Sequence, residues 1–118
     1  MNSPRQSVSV VGSVNGLICL VIKDNDLVLW NPSIRKFRKL PDSGLKFEVS
    51  IGSYFDSYTI VMYGFGYDES TDDYKVVGVL CNDKYNILHH VEVKIYSLKS
   101  DSWRSKNDIP DGVKLIKP

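Results

Sequence analysis

The sequence predicts an all-β protein made of repeated antiparallel sheets, and three observations carry that prediction. No segment keeps apolar residues at the i, i+3, i+4, i+7 spacing of an amphipathic helix, whereas short runs rich in Val, Ile, Leu and Tyr recur throughout. Clusters of Asn, Gly, Asp and Ser separate those runs and supply turn chemistry. The chain also repeats itself. "LVLWNPSIRKFRKLP" (Leu27 to Pro41) aligns with "VKIYSLKSDSWRSKNDIP" (Val93 to Pro110), placing Trp30 on Tyr96, Phe37 on Trp103 and Arg38 on Arg104, a period near 66 residues.

The elements follow in order. Residues 1–9 read as a polar tail, and residues 10–41 as the first unit of the repeat. Val14-Asn15-Gly16 predicts a tight hairpin, because Asn-Gly readily takes the positive φ angles that such a turn needs. Gly16 to Ile22 is a continuous apolar run, suited to a strand covered on both faces. Lys23 to Asp26 turns the chain into Leu27 to Asn31, where Leu27 and Leu29 face one way and Val28 and Trp30 the other. "PSIRK" turns it again into "FRKLP". Residues 42–57, with their Gly and Ser content, read as a surface connection.

The second unit, residues 58–110, repeats this order. In "YTIVMYGFGYD" the aromatics Tyr63, Phe65 and Tyr67 share one face, while Gly64 and Gly66 leave the other open to close backbone approach. "ESTDD" then turns into "YKVVGVL", and the alternating strand of Val91, Val93 and Ile95 leads through Lys99 to Ser102 into Trp103-Arg104. Small antiparallel sheets with apolar residues on both faces are what stacked propeller blades require, so the expected architecture is about two blades of a partial, kelch-like β-propeller. A closed two-sheet β-sandwich that binds a small ligand as an enzyme or lectin is the competing reading. The aromatic-Arg pair after each turn favours blades.

Composition limits the function classes. In 118 residues, 42% hydrophobic and 25% charged, one globular domain or a piece of one fits, and a net charge of +1 gives no bulk attraction to nucleic acid or to acidic membranes. No apolar run reaches the roughly 18 residues of a membrane span, and no charged segment precedes an apolar core at the N-terminus, so an intracellular protein, cytoplasmic or nuclear, is expected. Cys19 and Cys81 lie in apolar runs and are expected to be reduced and buried.

Catalytic and metal-binding patterns find little support. "GSVNG" misplaces its serine for a nucleophile elbow, and neither cysteine stands beside a histidine in a recognisable arrangement. His89 and His90 are adjacent in a strand and leave opposite faces, which prevents convergence on one ion. "GFGYDE" runs into an acidic turn instead of a phosphate-binding helix, and Asp68, Glu69, Asp72 and Asp73 miss the spacing of a calcium loop. No cofactor is expected. Arg35, Lys36, Arg38 and Lys39 form a dense basic patch around Phe37, read as a solvated turn or the rim of a site for an acidic protein partner. Because Trp30, Phe37, Tyr96 and Trp103 recur at equivalent positions, they are expected to make the contact that recurs, the packing of one blade on the next. Partner contact is expected in the variable loops, at Phe47, Tyr54, Phe55 and Tyr85.

"VVGSVNGLICL", "LVLWNPSIRKFRKLP", "YGFGYDESTDDYKVV" and "VEVKIYSLKSDSWR" resemble, in order and spacing, successive motifs of the plant F-box-associated domain of the type 1, kelch-like propeller class. That group includes S-locus F-box-like proteins. The resemblance implies a module that presents a substrate protein to a cullin-based ubiquitin ligase and has no chemistry of its own. In the family a helical F-box docks on a Skp adaptor. These 118 residues show no such segment, so Skp and cullin are expected partners only where an F-box is present.

Overall fold

The computed structural model describes residues 8–22, 26–45, 48–50, 57–84, 87–106, 110 and 113–116, with backbone alone at 48–50, 57–60, 82–84, 87–91 and 116. All of the regular structure among them is β. No helix there is long and apolar enough to cross a membrane.

Two antiparallel sheets are laid down one after the other. The first has the order β1 (Val8–Val14), β2 (Leu17–Ile22), β3 (Asp26–Asn31) and β4 (Lys36–Lys39). The second is a meander of β6 (Ser57–Asp68), β7 (Asp73–Lys84), β8 (Ile87–Ser97) and β9 (Ser102–Lys106). Both β5 (Glu48–Ser50) and β10 (Leu115–Ile116) add to it by pairing with β6. Strands that pair strictly in chain order make blades, whereas an immunoglobulin-type sandwich interleaves its strands between two sheets. The propeller expectation therefore holds.

Turn chemistry explains the meanders. Asn15 and Gly16 take φ of 51° and 84°, the double positive-φ turn that Asn-Gly favours. Three further hairpins end on a residue in the left-handed region, Arg35, Asp72 and Asp101, with φ of 54°, 49° and 50°. Asp68 secures one of them by accepting hydrogen bonds from Ser70 N at 3.0 Å and Ser70 Oγ at 2.7 Å.

The main core lies between the sheets. Cys19, Val21, Leu27 and Leu29 of the first sheet, with Val11 at the β1 bulge, meet Val61, Tyr63, Phe65, Val76 and Tyr96 of the second. A smaller cluster, Val77, Val79, Cys81, Val93 and Ile95, covers the far face of the second sheet, where Met62, Val113 and Leu115 pack against it. Both cysteines are free thiols and fully buried, as expected.

The close approach foreseen at Gly64 is present: a Cβ there would stand 2.6 Å from the Lys114 carbonyl oxygen and 2.7 Å from Val113 Cγ1. The connection 42–57 departs from its surface reading in two ways. It contributes β5, and it buries Leu45 almost completely beside Gly78. An isolated leucine among Ser, Gly and Asp has no periodicity to reveal its burial.

Candidate interaction surface

The β3–β4 hairpin is shaped by its turn. Ser33 N donates to Asn31 Oδ1 at 3.2 Å and Arg35 N to the Pro32 carbonyl at 3.3 Å, so Pro32 to Arg35 reverse the chain tightly. Trp30 then stands directly opposite Phe37. In the second sheet Tyr96 stands directly opposite Trp103, so the sequence repeat is also a repeat of register.

The two aromatic pairs differ in surroundings. Tyr96 has no exposed surface and Trp103 packs against the inter-sheet core, whereas Trp30 is 39% and Phe37 74% exposed. Strand alternation gives the reason. Leu27 and Leu29 point to the second sheet, so Trp30 and its partner Phe37 occupy the opposite face. Ile18, Leu20, Val10 and Val8 lie on that same face through the β1–β2–β3 register.

Pleating also divides the basic patch. Phe37 and Lys39 share the open face, while Lys36 and Arg38 alternate to the other side, where Arg38 Nη1 reaches Asp101 Oδ1 across the sheets at 3.8 Å. Arg35 ends the turn. Phe47, Tyr54, Phe55 and Tyr85 lie outside the residues whose side chains are described.

Polar contacts tie the sheets together at one corner. Asp101 accepts the Tyr96 hydroxyl proton at 2.5 Å, and Trp103 Nε1 donates to the Pro41 carbonyl at 2.7 Å. Lys94 Nζ donates to the Ser43 carbonyl at 2.8 Å, and Ser43 Oγ accepts from Leu45 N at 3.1 Å. Burial, and then the Asp101 carboxylate, push the Tyr96 phenol up to about 12. Burial alone pushes the Cys19 thiol up to about 12, which leaves it protonated and unreactive at neutral pH.

Sequence reasoning did not single out Asp101 or Lys94, and it read the segment Pro41 to Leu45 as part of a variable surface connection open to partner contact. For Asp101 a signal existed, since it occupies the turn position of the second unit that Arg35 occupies in the first. Among the described residues, no three His, Cys, Asp or Glu side chains converge as metal ligands. Asp73 instead serves structure: nearly buried, it accepts Lys99 N at 3.1 Å and the Ser97 hydroxyl, fastening the start of β7 to the β8–β9 turn.

Comparison with known proteins agrees with this architecture. The sequence pattern of the F-box associated beta propeller domain matches residues 2–117. An F-box/kelch-repeat protein of Arabidopsis thaliana is 43% identical over 110 residues, 92% of this chain and 28% of the relative. The Arabidopsis F-box protein CPR1 is 38% identical over 112 residues, 91% of this chain and 26% of that protein. A further Arabidopsis F-box protein is 41% identical over 100 residues, 80% of this chain and 24% of its own length. The chain thus spans about a quarter of the curated relatives it matches. No solved structure matches it. With its serial four-stranded meanders and a match running from residue 2 to residue 117, the chain belongs to the F-box associated β-propeller family.

Proposed function

We propose that the chain is a protein-interaction module from the substrate-recognition part of an SCF-type ubiquitin ligase subunit. The unbroken family match, with relatives that are F-box proteins, carries this reading. The rigid meanders act as a scaffold, and the connections between them meet the substrate protein. We assign that contact to the loops bearing Phe47, Tyr54, Phe55 and Tyr85, with Lys36 at the hairpin as a charged rim. Rim charges of this kind set association rate and partner choice more than affinity. Skp and cullin attach through an F-box, for which a β-meander offers no amphipathic helix.

The test is a fusion of an F-box to this chain, expressed in plant cells beside a variant in which the four loop aromatics are serine. Both should co-precipitate Skp and cullin equally. Only the parent should capture and ubiquitinate a discrete set of proteins. A captured set identical for both versions would refute the loop assignment, and an absence of any captured protein would refute the recognition role.

A further inference from the structure

We propose that Cys81, Met62 and His90 form a binding site for a soft monovalent metal ion of the Cu(I) class, on the face of the second sheet that carries the smaller cluster. Two of the three ligands already touch. Cys81, fully buried on β7, has its Sγ 3.7 Å from Met62 Sδ on β6. Two sulfurs that each lie about 2.3 Å from one ion stand roughly 3.8–4.0 Å apart when the angle between them is tetrahedral or trigonal. The pair is therefore spaced to hold a common ion.

The third ligand comes from an irregularity in the register. The β7–β8 ladder pairs without a break from Lys75–Ser97 to Leu80–Glu92 and resumes at Cys81–His90, so Val91 is an extra residue. Without that bulge Cys81 would stand opposite Val91, and His90 opposite Asn82. The extra residue moves His90 directly across from Cys81, and residues directly opposite in an antiparallel pair share a face, their Cβ atoms about 4.5–5.5 Å apart. His89 falls opposite Asn82 on the other face, so the two histidines diverge and one alone joins the sulfurs. On β6, Met62 stands opposite Val79, two residues before Cys81 on the same face. Three adjacent strands thus each bring one donor residue to a single region of the sheet.

Donor chemistry selects the ion. Thiolate, thioether and imidazole make a soft set that suits Cu(I), whereas magnesium and calcium want carboxylate and carbonyl oxygens. A structural zinc site closes four positions, one more than these residues supply. Val77, Val79, Val93 and Ile95 wall the site with aliphatic groups, and Met62, only partly buried, marks the way in from solvent. On binding, the ion takes the place of the Cys81 thiol proton, which leaves to water, and no electron is transferred.

Competition of the 118-residue chain against a Cu(I)-chelating dye, under anaerobic conditions, tests the site. One ion per chain is expected. Cys81→Ala, Met62→Leu and His90→Gln should each weaken binding by at least about 10–100-fold, the loss that even an outer-shell partner causes. His89→Gln should leave it unchanged. Met62→Leu conserves volume, so this variant keeps the fold while losing a donor. X-ray absorption at the copper edge should show two sulfur neighbours and one nitrogen in the parent, and one sulfur fewer in Met62→Leu. Equal weakening by His89→Gln and His90→Gln, a shell of sulfur alone, or displacement of Cu(I) by equimolar Zn(II) would overturn the assignment. An ion shared between two chains, or no binding at all, would reduce the Cys81–Met62 contact to packing and overturn it as well.

Discussion

Tyr96 and Trp30 occupy the same place in the repeat, and replacing each with alanine separates what the repeat shares from what the fold adds. Tyr96 is fully buried between the sheets, while Trp30 keeps 39% of its surface in water. An aromatic side chain that buries about 200 Å² gains on the order of 5 kcal/mol at ~25 cal/mol per Å². Tyr96→Ala forfeits most of that, leaves a cavity lined by the inter-sheet core and strands Asp101 without its hydroxyl donor, for a cost of about 3–5 kcal/mol. Trp30→Ala loses only its contacts along the face, and water fills the space, so about 1–2 kcal/mol is expected. Urea unfolding followed by circular dichroism measures both. With a slope of about 1–3 kcal/mol per molar, Tyr96→Ala should lower the midpoint by at least about 1 M and Trp30→Ala by less than half as much. Equal midpoints for the two variants would show that the Trp30 face is covered in the isolated chain, and the assignment of open and closed faces would fall.

Gly64→Ala should cost about 1–3 kcal/mol, because the new methyl group meets the Lys114 carbonyl and Val113; hydrogen exchange should accelerate at Leu115 and Ile116, and unchanged exchange would contradict the close approach. Trp103→Phe removes the donor to the Pro41 carbonyl together with part of the ring that packs on the inter-sheet core, and should lower stability by about 1–3 kcal/mol in denaturant titration; unchanged stability would refute both contacts. Cys19 should resist alkylation at pH 8 until the chain is unfolded, and labelling of the native chain at the rate of a free thiol would refute its burial. Stability should fall between about pH 9 and pH 12. The folded state holds the Cys19 thiol, ordinarily 9.0, and the Tyr96 phenol, ordinarily 10.0, at about 12, so unfolding releases protons across that window; a pH-independent midpoint from 9 to 12 would count against both shifts.

Much of the fold was legible because its signals are local. Asn-Gly at 15–16, the alternation of Leu27 and Leu29 against Val28 and Trp30, and the open face at Gly64 each follow from one or two neighbouring residues, and each appears in the structure. The repeat exposed the pairing of Trp30 with Phe37 and of Tyr96 with Trp103. Repetition of sequence does not fix repetition of environment, however. Whether an aromatic pair is covered depends on which neighbour lies over its face, information held outside the unit. For the same reason Leu45, Lys94 and Asp101 escaped notice: their roles arise where the two sheets meet, between residues up to 63 apart such as Arg38 and Asp101. The basic run misled in its unity, since pleating sends Arg38 to a partner on the second sheet and Lys39 to the opposite face.

Pairing in strict chain order has a consequence for synthesis. Each hairpin of the first sheet completes its ladder with the strand that has just appeared, so the sheet needs nothing downstream to close its hydrogen bonds. Its aliphatic face, with Leu27 and Leu29, must then wait while residues up to Trp103 emerge before the second sheet covers it and the Trp103 indole reaches Pro41. At about 5–20 residues per second that interval lasts some seconds, long compared with hairpin formation at about 1–10 μs. During it an open sheet edge and an apolar face coexist on a nascent chain, the combination to which holding chaperones respond. The interval of exposure is therefore written into the topology, and in a propeller of such sheets it passes forward from each blade to the next.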